Sequence, residues 1–259
     1  YAVMGNINEH QLAIMETTFG GREELVDTTG IIDYVSLMTL GLQRAKTARE
    51  AINVITQLVE EYGYASSGES ISIADPNEAW ILEMIGKGGK EKGAVWVAVR
   101  IPDNAICAHA NQARITTIPQ GKAKLTKEQK RLQKELNCIC HGDWMYSQDV
   151  ISFAREKGYF TGADKDFSYQ AAYCPFDFSG LFVCEARVWS FFRHFSNQMD
   201  QYYDYAIGHT YKATDGKDEG EHMPLWIVPN HKVSVQEMKD CMRDEYKGTP
   251  IDITQGIDA

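Results

Sequence analysis

Three short segments of this 259-residue chain place polar side chains inside otherwise apolar runs. They are residues 6–18, residues 109–114 and residues 185–187, the last of which opens an apolar and aromatic stretch. A polar group that leaves water without a partner costs roughly 2–7 kcal/mol. Because that cost demands a partner or a purpose, these segments are the candidates for a functional site.

Several residue types in these segments have known roles in catalysis. An asparagine amide such as that of Asn111 is a neutral donor for the oxyanion that develops when a carbonyl is attacked. An arginine such as Arg187 can hold a carboxylate or orient a nucleophile. The alternative in each case is structural: an asparagine that serves a turn, or an arginine that pairs with a nearby glutamate. The residues alone leave both interpretations open.

Compact catalytic signatures are missing from the sequence. It contains no G-x-S-x-G elbow, P-loop, H-E-x-x-H motif or dinucleotide fingerprint. Its six cysteines are scattered, and Cys138, Cys140 and His141 are not followed by the second ligand pair that a structural zinc site usually has. The spacing therefore favours ordinary loop cysteines over a metal site.

Hydrophobic periodicity predicts the elements that position the polar segments. It predicts a strand over residues 12–18 and a helix over residues 31–44. Thr47 and Glu50 have the spacing of a capping box, which predicts a second helix as far as Tyr62. Alternating residues then predict a strand at 70–74, and the segments 79–85, 93–100 and 105–110 are predicted as three more. Runs of antiparallel strands with helices laid on top predict a layered α+β domain.

The last third of the chain has weaker patterns. Residues 210–222 are polar and contain glycine, which predicts an exposed loop. Ser234 begins a second capping box. Its helix is expected to bury Val235, Met238 and Met242.

Taken in order, the motifs of this chain resemble the dipeptidase A, or PepD-like, family of cysteine N-terminal-nucleophile (Ntn) hydrolases. The matching runs are residues 5–14 with 16–18, 43–51, 67–70 with 74–78, 109–115, 152–159 and 184–189. They span nearly the whole chain. Several long motifs in a fixed order are far more specific than one short pattern.

The resemblance implies a four-layer αββα sandwich, in which two antiparallel sheets lie between layers of helices. It implies a single Ntn-hydrolase-like peptidase domain over residues 1–259 that is incomplete at both ends. The expected activity is hydrolysis of the amide bond of dipeptides, with no metal and no organic cofactor. The nucleophile would be a cysteine exposed as the first residue of the mature enzyme, and we expect it to lie outside this chain.

The resemblance also assigns the catalytic residues. Asn111 matches the strand-end asparagine of the oxyanion hole, and Arg187 matches an arginine that lies close to the nucleophile. Related enzymes place a second oxyanion asparagine where this chain has Thr18. The second donor is therefore expected to be Thr18, Thr17 or a backbone N–H.

Four residues are expected to bind substrate: Asn8, Glu16, Thr18 and Arg114. They lie in the first two polar segments. The ligand would be a small peptide.

Composition limits the other partners. The formal net charge of −10 argues against nucleic acid, because phosphate binding needs clustered lysine and arginine. No segment approaches the ~18 apolar residues of a membrane span. Sheet edges left unpaired by missing strands favour a homo-oligomer as one outcome. These residues do not predict a compartment.

Two alternatives stay open. The first keeps the fold but changes the substrate to an acyl amide of the bile-salt or penicillin type. The second is a non-catalytic binding module on the same scaffold.

Overall fold

The computed structural model describes residues 5–89, 91–212, 217–218 and 221–255. The chain forms two compact units: unit 1 is Tyr1–Asp103 with His109–Pro175, and unit 2 is Asn104–Ala108 with Phe176–Ala259. The single domain expected over residues 1–259 stays a prediction.

The strands are numbered in chain order. They are β1 (Asn6–Ile7), β2 (Ala13–Gly20), β3 (Gly68–Ala74), β4 (Ala79–Gly86), β5 (Ala94–Ile101), β6 (Ile106–Cys107), β7 (Cys138–His141), β8 (Trp144–Ser147), β9 (Tyr211–Lys212), β10 (Lys217–Asp218) and β11 (Trp226–Ile227).

The α-helices are α1 (Tyr34–Arg44), α2 (Ala48–Tyr62), α3 (Lys127–Glu135), α4 (Val150–Glu156), α5 (Tyr169–Tyr173), α6 (Ala186–Arg193), α7 (Tyr203–Ala206) and α8 (Val235–Cys241). A π-helix, Gly180–Glu185, leads directly into α6. Short 3-10 helices lie at Glu23–Leu25, Asp164–Asp166, Met199–Tyr202 and Ile253–Gln255. Helices combined with antiparallel sheets confirm the α+β class, whereas the four-layer sandwich stays a prediction.

Unit 1 is built on a seven-stranded sheet with the order β1-β2-β3-β4-β5-β8-β7. All of its neighbouring strands are antiparallel. The strands predicted at 12–18, 70–74, 79–85 and 93–100 are confirmed to within two residues. The β7–β8 hairpin was not predicted, because each of its strands has only four residues. Cys138 and Cys140 are buried in β7, so the interpretation as loop cysteines is wrong.

Alternation along the strands gives the sheet two distinct faces. Ile14 of β2 and Ile71 of β3 belong to a core that also contains Leu37 of α1 and Ile52 of α2. These two helices therefore cover one face, which we call the helix face.

Continuing the same alternation places polar residues on both faces. Glu16, Thr18 and Glu69 fall on the helix face, at one end of the core. Thr17 and Ser72 fall on the opposite face. Each face therefore carries its own polar cluster, and the adjacent residues Thr17 and Thr18 belong to different clusters.

The capping residues fix the helices that form the helix face. The Thr47 hydroxyl accepts a hydrogen bond from the Glu50 N–H at 3.3 Å, so the predicted start of α2 is confirmed. The Glu50 carboxylate accepts from the N–H of Lys46 at 2.8 Å. Helix α1 begins at Tyr34 instead of residue 31, because Asp33 caps it by accepting from the backbone three residues ahead.

Unit 2 contains two small sheets, β6 with β11 and β9 with β10. The strand predicted over residues 105–110 is limited to β6, so the polar segment that follows is not a strand end. The capping box at Ser234 is confirmed. The predicted burial of α8 is wrong, since Val235 is 73% and Met242 is 81% exposed.

The loop predicted over residues 210–222 is only partly described. Strands β9 and β10 pair within it, whereas residues 213–216 and 219–220 lie outside the described residues. Within the part of the chain that the structure describes, no helix has the length and apolar character needed to span a membrane.

Candidate active site

The segment that begins at His109 lies against the sheet face opposite the helix face. Glu83 of β4 anchors it, because its carboxylate accepts hydrogen bonds from the backbone N–H groups of Arg114 at 2.7 Å and Ile115 at 3.0 Å. The Glu83 side chain is fully buried. Burial raises the pKa of Glu83 to about 7, although the two N–H groups and the Arg114 charge oppose the shift.

His109 makes close contacts with two neighbouring strands. Its Nδ1 lies 2.6 Å from the Thr17 hydroxyl of β2, and its Nε2 lies 2.6 Å from the Ser72 hydroxyl of β3. The Thr17 hydroxyl also donates to the carbonyl of Ala110 at 2.9 Å. Three side chains and one carbonyl thus join this segment to the sheet.

Asn111 and Thr18 are brought together by the fold. The exposed Asn111 side chain donates through Nδ2 to the Thr18 carbonyl at 2.6 Å. The next residue, Gln112, is buried and donates through Nε2 to the Cys174 carbonyl at 2.8 Å. The expected oxyanion donor is therefore exposed, on a segment that the side chains of His109 and Gln112 hold in place.

Two expected substrate residues lie beside a buried carboxyl on the helix face. The Thr18 hydroxyl donates to Oε1 of Glu69 at 2.9 Å. Oε2 of Glu16 and Oε2 of Glu69 are buried without a donor among the described residues. The pKa of Glu69 is raised to about 9, mainly by burial and further by the neighbouring Glu16. A proton on Glu69, shared with Glu16, would supply the hydrogen that these two buried oxygens otherwise lack.

The raised pKa of Glu69 leads to a prediction about stability. A glutamate with its ordinary pKa of 4.5 releases its proton in the unfolded chain, whereas folded Glu69 keeps it up to about pH 9. The folded state therefore binds more protons between these limits, and its stability falls as the pH rises through that range. We expect Glu69→Gln to flatten the pH dependence of urea unfolding. The control is Glu128→Gln at an exposed position, which should leave the slope of unfolding free energy against pH unchanged. A wild-type slope in Glu69→Gln would contradict the shared proton.

The other two expected substrate residues have clear structural contacts. The Asn8 amide donates to the carbonyls of Leu42 at 2.8 Å and Ala45 at 2.9 Å, which ties the β1–β2 turn to the end of α1. Arg114 is buried, and its charge acts on Glu83 and His109. These contacts account for both residues structurally, and their binding of substrate stays a prediction.

Arg187 belongs to unit 2, in the first turn of α6. It is exposed, and its guanidinium donates through Nε to the Val183 carbonyl at 2.9 Å and through Nη2 to the Cys184 sulfur at 3.6 Å. Both partners lie in the preceding π-helix. Such π-helical turns are rare and occur frequently at functional sites. The predicted catalytic role of Arg187 stays a prediction.

Several residues of the site were not identified from the sequence. Glu69, Ser72 and Glu83 all hold the segments that carry Thr18 and Asn111. A glutamate inside an apolar strand such as β4 was the available signal, because a buried charge needs partners.

Four cysteines are buried and two, Cys107 and Cys241, are partly buried. Among the residues that the structure describes, no group of three or more His, Cys, Asp or Glu side chains is arranged to hold a metal ion.

An α+β fold whose antiparallel sheet holds a segment with an exposed amide donor is consistent with a hydrolase of amide bonds. The model of Peptidase family C69 matches residues 1–258. The chain belongs to this family.

Curated relatives carry dipeptidase names. A probable dipeptidase of Salmonella dublin is 25% identical over 246 residues, which cover 93% of this chain and 48% of that protein. A dipeptidase of Bifidobacterium longum is 25% identical over 229 residues, covering 87% of this chain and 38% of that protein. A probable dipeptidase B of Lactococcus lactis is 41% identical over 80 residues, which are 30% of this chain and 15% of that protein. The chain spans less than half the length of these relatives.

Proposed function

We propose that this chain is part of a dipeptidase that hydrolyses the amide bond of dipeptides. The observation that carries this proposal is the family match over residues 1–258, together with relatives that are named dipeptidases. The geometry adds an amide donor on a segment that hydrogen bonds tie to the sheet. The ligand we propose is a small peptide, without nucleic acid, membrane, metal or organic cofactor. A homo-oligomer would form through the outer strands of the sheet.

Asn111 is proposed to donate to the oxyanion that forms when the scissile carbonyl is attacked. An amide nitrogen carries two N–H groups, and its bond to the Thr18 carbonyl sets the position of the side chain. Donors that are fixed before the reaction stabilise developing charge without reorganisation.

The second oxyanion donor is proposed to be a backbone N–H. A hydroxyl has one proton, and Thr17 donates its proton to the Ala110 carbonyl. Thr18 donates its proton to Glu69. Both threonine side chains are therefore engaged, which leaves the backbone among the three expected alternatives.

The nucleophile is proposed to be an N-terminal cysteine supplied by polypeptide outside these 259 residues. The six cysteines of the chain are buried or partly buried, which does not suit a thiolate that must meet a substrate. An α-amino group titrates near ~8 and can take the thiol proton around neutral pH. Arg187 would orient this thiolate, and Asn8, Glu16, Thr18 and Arg114 would contact the peptide. The fold proposed for the complete domain is the αββα sandwich.

Hydrolysis assays on the complete protein test this function. We expect turnover of dipeptides, little turnover of acylated amino acids, and loss of activity when the N-terminal cysteine is replaced by serine. The 259-residue chain alone should be inactive. Preference for acylated amino acids would favour the acyl-amide alternative, and dipeptide binding without turnover would favour the binding module.

A further inference from the structure

The strongest unassigned feature of unit 1 is the position of His109. Its two ring nitrogens lie 2.6 Å from hydroxyls on adjacent strands, Thr17 on β2 and Ser72 on β3. The ring therefore bridges β2 and β3, which pair antiparallel. His109 is partly buried and lies two residues before Asn111 in the sequence.

The hydrogen bonds determine where the ring proton lies. Thr17 has one hydroxyl proton and donates it to the Ala110 carbonyl, so its oxygen can only accept from the ring. Nδ1 of His109 must then carry a hydrogen. In a neutral ring Nε2 carries none, and it accepts from the Ser72 hydroxyl.

The ring stays neutral over the range in which a peptidase with an α-amine base would operate. Burial, and then the positive charge of Arg114, lower the pKa of His109 to about 4. Arg114 is the charged group that acts on the ring, while Thr17 and Ser72 are uncharged. The assignment of the proton to Nδ1 therefore holds near pH 7.

His109 with its partners Thr17 and Ser72, which we call the clamp, supports a tight turn that carries Asn111. The Gln112 N–H donates to the Ala110 carbonyl at 2.8 Å, which closes a three-residue turn with Asn111 at its centre. The same carbonyl accepts the Thr17 hydroxyl. His109 holds Thr17 from the other side, so one chain of hydrogen bonds runs from Ser72 to the turn.

We propose that His109 is a positioning residue, which, as a neutral Nδ1–H imidazole between Thr17 and Ser72, holds the turn that presents Asn111. This role deepens the proposed function and rests on it, because it gives the position of Asn111 a purpose. The hydrogen bonds of His109 lie within the protein, so they can be measured without a substrate.

The first measurement is nitrogen NMR of the complete protein with labelled histidine. We expect His109 to show a protonated Nδ1 and an unprotonated Nε2 at pH 7. A ring protonated at Nε2, or an imidazolium at that pH, would overturn the proposal. This readout does not depend on activity, so it separates failure of the clamp from failure of the dipeptidase assignment.

The second measurement compares variants of the complete protein. A displacement of about 1 Å in a catalytic group can lower the rate 10²-fold. We expect His109→Ala to lower kcat roughly tenfold to 10²-fold with little change in KM. His109→Asn places an amide N–H near the Nδ1 position and should restore part of the loss, whereas His109→Gln cannot place its donor there and should restore less.

The Asn111 side-chain amide provides a structural readout for the same variants. Its NMR signals should shift, and its hydrogen exchange should accelerate, in His109→Ala but much less in His109→Asn. Thermal unfolding identifies variants that fail to fold. Unchanged Asn111 signals and unchanged kcat in a folded His109→Ala variant would contradict the clamp.

Discussion

Asn111→Ala is expected to lower kcat of the complete protein about 10²–10³-fold, which is the usual effect of removing one oxyanion donor. The change removes an N–H group whose position is set by the Thr18 carbonyl. KM should change by no more than about threefold, because the lost interaction develops mainly in the transition state. Steady-state kinetics on a dipeptide provide the measurement.

The control for this prediction is another exposed asparagine. Asn104 is exposed and lies outside the turn, so Asn104→Ala should retain wild-type kinetics. Asn111→Asp tests the chemistry at constant shape, since a carboxylate repels the oxyanion and should be at least as harmful as alanine. A wild-type kcat in Asn111→Ala would remove this residue from the site.

Glu83→Ala is expected to have the largest effect on stability, about 3–5 kcal/mol of unfolding free energy. The substitution leaves the buried N–H groups of Arg114 and Ile115 without their acceptor and opens a cavity in a fully buried place. The segment that carries Asn111 would lose its anchor. Urea unfolding monitored by circular dichroism measures the change.

Glu83→Gln is the matched variant, because one amide oxygen remains as an acceptor and the volume is kept. Its loss should be clearly smaller than that of alanine. Folded Glu83 has a pKa of about 7 against an ordinary 4.5, so the wild type loses stability as the pH rises between these values. Glu83→Gln should lose the part of this pH dependence that Glu83 contributes and keep the part that Glu69 contributes. Equal losses in Glu83→Ala and Glu83→Gln would show that the backbone bonds contribute little.

The sequence predicted the parts of the fold that local physics determines. Strands β2 to β5 are runs of seven or eight residues, of which β4 and β5 are almost continuously apolar, and α2 has a capping threonine and a terminal glycine. Helix α8 has an equally good capping box, yet its apolar side chains are exposed. A cap determines where a helix begins, whereas burial depends on what packs against it.

The turn around Asn111 was beyond prediction for the same reason. Residues 109–114 were expected at a strand end, but their hydrogen bonds run to Thr17, Glu83 and Cys174, each from a distant part of the chain. No local pattern encodes partners of that kind. The motif identified Asn111 as a candidate, and only the tertiary contacts reveal how it is held.

The division of Thr17 and Thr18 between the two sheet faces has a consequence for sequence change in β2. Deleting one residue ahead of this pair would shift each following residue by one place: the second threonine would take the place of the first, beside His109, and the first would take the place of Glu16, opposite Ile71. Phe19 would then stand opposite Glu69 in place of the Thr18 hydroxyl, and Glu16 would leave its carboxyl partner for the other face of the sheet. Strand length should therefore be less tolerant of insertion and deletion than the threonine pair is of conservative exchange.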